Sequence, residues 1–309
     1  MKLCIQSGGI FGHYSLEEGY LAAKKAGFDS IDLNIDTEFD RNKLRNHRGE
    51  GLCIFEKSMP EIMAHFKREL DAIKAAGLYV YQAHSPFPSY MKDIPDFLDY
   101  CIEIHKKCLE FCAEIGCRRL IVHGVALSRD DVNHTQADID AVNEKLYTGL
   151  IETAKKTGVT VCLENLFYGY DGTIYGGHCS DPHEAAAYID HLNELAGEEC
   201  FGLCVDTGHL NLIGREQYAY IKYLGKRIKA FHVHDNDGKS DLHLAPYTGT
   251  INWEGFCRAV REIGYRDDLD FETFRQIGKN RMPEDRMAFP WLRLIAETGK
   301  VFAAKIEEE

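Results

Sequence analysis

The chain has 309 residues, 45% of them hydrophobic, and its 49 acidic and 36 basic side chains give a formal net charge of −13. A chain of this composition can bury a large core, and because one α/β barrel usually takes roughly 250 residues, we expect one large domain or two small ones. The negative charge repels phosphate backbones and releases no counterions, so nucleic acid is not the expected partner.

The N-terminus and the cysteines indicate the compartment. "MKLCIQSGG" lacks the basic segment, apolar run and cleavage site of a signal peptide, and no apolar run reaches the length of about 18 residues that spans a membrane. We therefore expect a cytoplasmic protein without membrane association. The 11 cysteines are odd in number, lie in apolar periods and form no C-x-x-C pair, which favours reduced, buried thiols over disulfides or a cysteine zinc site.

Short β-branched or aromatic runs alternate with long amphipathic runs along the whole chain. The strand candidates are, in chain order, "KLCIQS", "SIDLNI", "YVYQAH", "RLIVHG", "TVCLEN", "GLCVDT", "KAFHVH" and "LDFETF". Helical runs follow them, among them "SLEEGYLAAKKAG", "EIMAHFKRELDAIKAAG" and "VNEKLYTGLIETAKKTG", each ending on a glycine suited to a helix C-cap. The alternation predicts an α/β fold, a (β/α)8 TIM barrel, and the lack of a linker predicts a single domain over residues 1–309.

One polar insertion interrupts this pattern after the second strand candidate, over residues 36–59. A segment of this length without a helical or strand period is expected to form a loop over the barrel mouth. Two readings stay open: a lid over the active site, or a solvated excursion without function.

Ionisable residues stand at the carboxyl ends of six successive strand candidates, and these ends share one mouth in a barrel. In chain order they are His84, His123, Glu164, Asp206 with His209, His232 with His234, and Glu272. Glu164, Asp206 and Glu272 interrupt apolar strands, and a buried carboxylate requires a counter-charge. Few basic residues lie at neighbouring strand ends, so we expect one divalent metal ion: manganese, magnesium, cobalt, iron or zinc, among which the sequence does not choose.

The fragments at these ends together resemble a known family. They are "AHSP" at strand three, "LEN" at strand five, "DTGH" at strand six, H-x-x-D followed by D-x-H at strand seven, and a terminal glutamate at strand eight. In this order they resemble the xylose isomerase-like barrels, which include sugar and sugar-phosphate isomerases and epimerases together with endonuclease IV.

The resemblance implies a metal held by a Glu, an Asp, a His and a Glu, which correspond to Glu164, Asp206, His232 and Glu272. His232 and His234 both fit the histidine position, and the downstream "DLHL" favours His232, with Asp235 as its supporting residue. His234 is then expected to be structural and to face the helix layer.

The activity implied is a divalent-metal-dependent sugar or sugar-phosphate isomerase or epimerase. A proton next to a carbonyl is removed and returned through a metal-stabilised enediolate, with Glu164 and Glu272 as acid and base. The expected substrate contacts are His84, His123, His209, Asp241 and His243. Lys239 or Arg275 binds a carboxylate or phosphate of the substrate, or is an exposed surface charge. The partner is a small carbohydrate, and a homo-oligomer is compatible with the exposed helices of a barrel.

Two alternatives remain. Endonuclease IV-like members bind three zinc ions through nine side chains. This sequence has a residue of the same type for each of the nine, so an AP endonuclease is the second possible function. The nine are His84, His123, Glu164, Asp206, His209, His232, Asp241, His243 and Glu272. The acidic charge and the aromatic "LFYGYDG" after "LEN" favour the isomerase. The third reading, a barrel without catalysis, is disfavoured because both glutamates are present.

Overall fold

The computed structural model describes residues 1–39, 51–91, 94, 96–125 and 135–308. Ten strands lie in this part of the chain, eight of them in one parallel sheet. They are β1 (Leu3–Gln6), β2 (Ser30–Asn34), β3 (Tyr79–His84), β4 (Arg119–Val122), β5 (Thr160–Glu164), β6 (Phe167–Tyr170), β7 (Thr173–Gly176), β8 (Phe201–Asp206), β9 (Ile228–His232) and β10 (Leu269–Phe271). Neighbours in the large sheet run in the order β10-β1-β2-β3-β4-β5-β8-β9.

The two ends of this sheet meet through Val233, directly after β9. Its backbone N–H donates to the carbonyl of Asp270 at 2.8 Å, and its carbonyl accepts from the N–H of Glu272 at 3.2 Å. These two hydrogen bonds bring β9 against β10 and nearly close the sheet into a barrel. The predicted (β/α)8 fold is therefore confirmed.

Helices cover the outside of the barrel, which is why strands such as β1 and β8 are buried along their whole length. The helices are α1 (Leu16–Ala26), α2 (Met59–Ala75), α3 (Phe97–Glu114), α4 (Gln136–Thr148), α5 (Ile151–Thr157), α6 (Pro182–Ala196), α7 (Thr207–Leu212), α8 (Gln217–Leu224), α9 (Trp253–Glu262), α10 (Phe274–Ile277) and α11 (Ala288–Glu307). None of the helices among the described residues is long and apolar enough to cross a membrane.

The helical run expected over residues 142–158 is divided into α4 and α5. Helix α4 begins earlier than the sequence pattern indicated, because the Thr135 hydroxyl accepts from the Asp138 N–H and the Asp138 carboxylate accepts from the Thr135 N–H. The chain leaves α4 at Gly149, and α5 starts after the buried Leu150.

Strands β6 and β7 form an antiparallel hairpin that the sequence analysis did not predict. Asp171 and Gly172 join them with φ values of 47° and 74°, as a two-residue hairpin turn requires. Tyr168 and Tyr175 stack across the hairpin with ring centroids 5.5 Å apart. The aromatic residues after "LEN" thus belong to a small sheet beside the barrel mouth.

The two ends of the 36–59 insertion pack on the helix layer. Phe39 contacts Phe97 and stacks on Tyr100, and Phe55 packs between Phe66 and Phe111. Residues 40–50, on which the expected lid would depend, lie outside the described residues.

The interior of the barrel has an apolar side and a polar side. On β4, β5, β8 and β9, a small apolar cluster forms apart from the main core; its members are Ile121, Cys162, Cys204 and Ala230. On the other strands and at the end of β9, polar side chains are buried beside the apolar ones, namely Gln6, Asp32, Gln82, Asp270 and His232. All 11 cysteines are free and buried, as expected from their positions in apolar runs.

Candidate metal centre

The barrel brings four buried side chains together at one end because parallel strands carry their carboxyl ends to the same rim. Glu164 ends β5 and Asp206 ends β8, while Glu272 follows β10 directly. His234 lies two residues beyond the end of β9. Glu164 is 1% exposed, Asp206 and His234 are 0% exposed, and Glu272 is 6% exposed. Solvent therefore contributes little to balancing their charge.

His234 joins two of these carboxylates. Its Nε2 lies 2.9 Å from Asp206 Oδ2 and 4.0 Å from Glu272 Oε2. The ring fits only because residue 208 is a glycine: a Cβ there would lie 2.0 Å from His234 Cε1. The glycine of the "DTGH" motif thus makes room for the imidazole.

His232 and His234 both point into the barrel, because residues two apart on a strand share a face. The expectation that His234 faces the helix layer is therefore wrong. His232 lies one layer deeper, with Nε2 at 3.3 Å from Asp32 Oδ2. Its Nδ1 lies 3.5 Å from Glu164 Oε1 and 3.6 Å from Glu272 Oε2.

The two histidines belong to different groups of potential metal ligands, in each of which the ligand atoms lie within 4.8 Å of one another. His234 lies in one group with Asp206 and Glu272, whereas His232 lies in another with Asp32 and Asp270. Asp206 and Glu272 therefore share a group with His234, while His232 contacts Glu164 and Glu272 from the layer below.

Asp235, expected to support His232, holds a loop instead. Its Oδ2 accepts from Trp253 Nε1 at 3.0 Å, and its Oδ1 accepts from the Ile251 N–H at 3.2 Å. Its backbone pairs with Leu244. Asp235 therefore fixes the return of the chain that carries Asp241 and His243 to the mouth. The carboxylate next to His232 Nε2 is Asp32.

Four histidines surround Glu164, one of which is His232 from the layer below. His123 Nε2 lies 2.8 Å from Glu164 Oε2, and His84 Nε2 lies 3.0 Å from the same His123 nitrogen. His209 Nδ1 lies 3.3 Å from Glu164 Oε1, while its backbone N–H donates to Asp206 at 2.7 Å. Burial raises the pKa of the Glu164 carboxyl, but the His123 and His232 imidazoles outweigh it and hold that pKa well below its usual range.

Asp241 and His243 flank the centre on the side of Glu272. The His243 ring stacks on His234 with centroids 4.0 Å apart, and His243 Nδ1 lies 3.4 Å from Glu272 Oε2. Its Nε2 contacts Asp241 Oδ2 at 2.8 Å. Burial lowers the pKa of His243, but Glu272 and Asp241 together raise it to about 10.

Every residue expected to bind metal or substrate lies at this mouth or directly beneath it. Four overlapping groups line the mouth, each with its ligand atoms within 4.8 Å of one another: His84–His123–Glu164, Glu164–Asp206–His209, Asp206–His234–Glu272 and His234–Asp241–His243. The polar residues of the layer below were not predicted from the sequence. Gln6 donates to Glu272 at 2.7 Å, and Gln82 donates to Asp32 at 3.0 Å. Polar residues inside apolar strands, as in "SIDLNI", were the available signal.

Known proteins similar to this chain include sugar isomerases and epimerases. An inosose isomerase of Bacillus velezensis is 21% identical over 281 residues, 89% of each chain. The L-ribulose-5-phosphate 3-epimerase UlaE of Escherichia coli is 23% identical over 291 residues, 91% of this chain and 90% of the relative. A probable endonuclease 4 of Halorhodospira halophila is 29% identical over 173 residues, which cover 50% of this chain and 53% of the relative.

Solved structures and a family model extend the comparison. A D-allulose 3-epimerase from Methylomonas superposes with a TM-score of 0.69 at 15% identity over 98% of both chains. The IOLI protein with a bound zinc atom gives a TM-score of 0.68 at 17% identity, over 99% of this chain and 98% of the other. The model of the xylose isomerase-like TIM barrel matches residues 20–295, most of the chain. The protein therefore belongs to the family of xylose isomerase-like TIM barrels.

Proposed function

We propose that the protein is a divalent-metal-dependent sugar or sugar-phosphate isomerase or epimerase. The observation that carries the proposal is the buried convergence of Glu164, Asp206, His234 and Glu272 from neighbouring barrel strands. The similarity to an inosose isomerase and to a ribulose-phosphate epimerase along about nine-tenths of the chain supports the same reaction class.

The chemistry of these side chains fits a divalent cation. Among the described residues, every ion pair of Glu164, Asp206 and Glu272 is with a histidine, and none is with a lysine or arginine. Three buried carboxylates therefore share a site without a permanent positive charge, which favours a bound cation. Carboxylate oxygens with one imidazole suit manganese, iron, cobalt or zinc. We propose Glu164, Asp206, His234 and Glu272 as the ligands of one such ion, with His234 in place of His232.

The bound ion would act as a Lewis acid on the substrate oxygens, stabilising the enediolate charge that develops when a proton leaves the neighbouring carbon. Glu164 and Glu272 are the proposed acid and base. Neighbouring imidazoles lower the pKa of both carboxyls against the effect of burial, so both are ionised at neutral pH and either can accept the proton. Both also reach His232 Nδ1, which keeps the two carboxylates close together.

The remaining polar residues of the mouth are proposed to bind substrate hydroxyl groups. They are His84, His123, His209, Asp241 and His243. Imidazole groups at the rim can donate or accept a hydrogen bond and the Asp241 carboxylate can accept one, and their spread on both sides of Glu164 and Glu272 matches a polyhydroxylated chain.

A screen for solvent exchange tests the proposal. The metal-loaded protein is incubated in deuterium oxide with ketoses, inososes and their phosphates, and NMR follows deuterium incorporation next to the carbonyl. We expect incorporation with at least one of these compounds and none with the matching alditol, which has no carbonyl. Absence of exchange throughout the panel would count against the proposed class.

The choice between the two histidines gives a separate prediction. His234→Asn is expected to weaken binding of the divalent ion by about 100-fold or more, because it removes a ligand, whereas His232→Asn weakens it by about 10-fold through the carboxylates it contacts. Calorimetric titration of the chelator-treated protein with Mn²⁺ measures both, and His191→Asn on the exposed face of α6 is the control. A larger effect at His232 would return the ligand position to that residue.

An endonuclease with three metal ions is the second candidate, because four overlapping ligand groups line the mouth. The partial match to a probable endonuclease 4 agrees with this reading. We favour the isomerase, since that match covers about half of each chain and the net charge of −13 opposes DNA binding. Three tightly bound zinc ions together with incision of abasic DNA would reverse this preference.

A further inference from the structure

A cavity of about 640 Å³ opens beside the proposed catalytic site, between the loop after β1 and the segment after β10. Arg275, Lys279 and Arg281 line it together with Gly9, Leu242 and Phe274. No aspartate or glutamate is among the described residues that line it. The chain has a net charge of −13, so the three cations around this cavity give it a charge opposite to that of the chain as a whole.

Phe274 separates this cavity from the metal centre by a single side chain. Its ring packs on the ring of His243 with centroids 4.3 Å apart, and it follows the proposed acid or base Glu272 by two residues. Leu242, on the cavity wall, lies between Asp241 and His243, which flank the centre. The cavity therefore lies next to the proposed catalytic site, on the far side of the Phe274 ring.

The cavity wall is held in place by contacts between its two segments. Gly9 has φ of 80°, and a Cβ there would lie 2.4 Å from the Phe274 carbonyl oxygen, so the two backbones touch. His13 contacts the Ile277 carbonyl at 2.7 Å and Asp285 at 2.8 Å. The basic side chains are thus carried by a fixed part of the barrel mouth.

Two of the three cations are available to a ligand. Lys279 has a carboxylate partner, Asp285, at 3.4 Å. Arg275 donates to the backbone carbonyl of Asp241, and within the described part of the chain neither Arg275 nor Arg281 forms an ion pair. A guanidinium group without a carboxylate partner can bind an anion that has several oxygens, because it donates two parallel hydrogen bonds to two of them.

We propose that this cavity binds a phosphate group at the end of the substrate remote from the reacting carbonyl, so that the substrate is a sugar phosphate. The inference rests on the proposed function, because it assigns the far end of that same substrate. An anionic substrate is repelled by Glu164, Asp206 and Glu272 unless a positive site holds its charge apart from them. The loop after the eighth barrel strand, which carries all three cations, is a frequent phosphate position in TIM barrels.

The test compares one ketose with and without a terminal phosphate, using the metal-loaded full-length protein. We expect kcat/KM to be about 100-fold higher for the phosphorylated sugar, and the ratio of the two values to fall at least about 10-fold in each of R275Q and R281Q. The control is R286Q, which changes an exposed arginine with a carboxylate partner outside the cavity and should leave the ratio unchanged. A wild-type ratio near one, or a ratio that survives the R275Q/R281Q double substitution, overturns the inference.

Two further readouts separate this inference from the proposed function. Inorganic phosphate, titrated by calorimetry, should bind the wild-type protein and lose at least about 10-fold in affinity in the double variant. Phosphate binding of this kind without turnover of any sugar would contradict the proposed function and support the anion site. Turnover of free sugars without phosphate binding would support the proposed function and contradict the anion site. A stronger preference for a uronate than for the sugar phosphate would overturn the assignment to phosphate.

Discussion

Replacement of Glu272 by glutamine is expected to lower turnover by about 1,000-fold or more, since general acid–base catalysis alone contributes about 10²–10⁴. The substitution removes the carboxylate that would accept the proton and one of the proposed metal ligands. It preserves shape, and the amide oxygen can still accept the hydrogen bond that Gln6 donates to this side chain at 2.7 Å. The measurement is the rate of deuterium exchange at saturating metal and substrate.

Two controls accompany this variant. Glu103→Gln changes an exposed glutamate on α3, whose partner is Lys106, and is expected to keep full turnover. Circular dichroism and thermal unfolding of the Glu272 variant should show that the barrel is intact. Turnover within about 10-fold of wild type would contradict the role of Glu272, because a lost acid or base has a larger effect.

Removal of the divalent ion is expected to abolish turnover and to lower the melting temperature by several degrees. An ion at 100 times its Kd stabilises a protein by about 2.7 kcal/mol, and without it Glu164, Asp206 and Glu272 remain buried and close together. For a chain of this size each 1 kcal/mol shifts the melting temperature by roughly 2–4 °C. Scanning calorimetry before and after dialysis against a chelator measures the shift.

Readdition of manganese or zinc should restore both turnover and melting temperature. His234→Asn, which lacks a proposed ligand, should show a smaller shift between the metal-bound and metal-free forms. Full turnover after exhaustive chelation, with the metal content verified by mass spectrometry, would contradict the metal requirement.

Most of the fold could be predicted from the sequence because apolar strand runs alternate with helical runs, and six of the eight barrel strands end at or next to an ionisable residue. The runs before Glu164 and Asp206 are mostly apolar up to the carboxylate, so strand ends and site residues were found by the same pattern. The barrel then makes such ends meet. The hairpin β6–β7 was not predicted, although its Asp171-Gly172 turn between aromatic runs is a hairpin signal.

The face of His234 could also have been derived, because the two-residue period of a strand puts it on the side of His232. The sequence could not show in which layer of the barrel each of the two side chains lies. His232 and His234 share a face but occupy different layers, and only the packing of Asp32 and Asp270 around the lower ring distinguishes them. The role of Asp235 could not be predicted either, because its partner Trp253 is distant in the chain.

Val233 connects the closure of the barrel to the assembly of its centre. The two hydrogen bonds that join β9 to β10 run through its backbone, between His232 and His234 on one side and between Asp270 and Glu272 on the other. The two bonds hold these two pairs of ligand-type residues next to each other. We therefore expect barrel closure and assembly of the candidate site to occur together, and amide protection at Val233 and Glu272 to report on both.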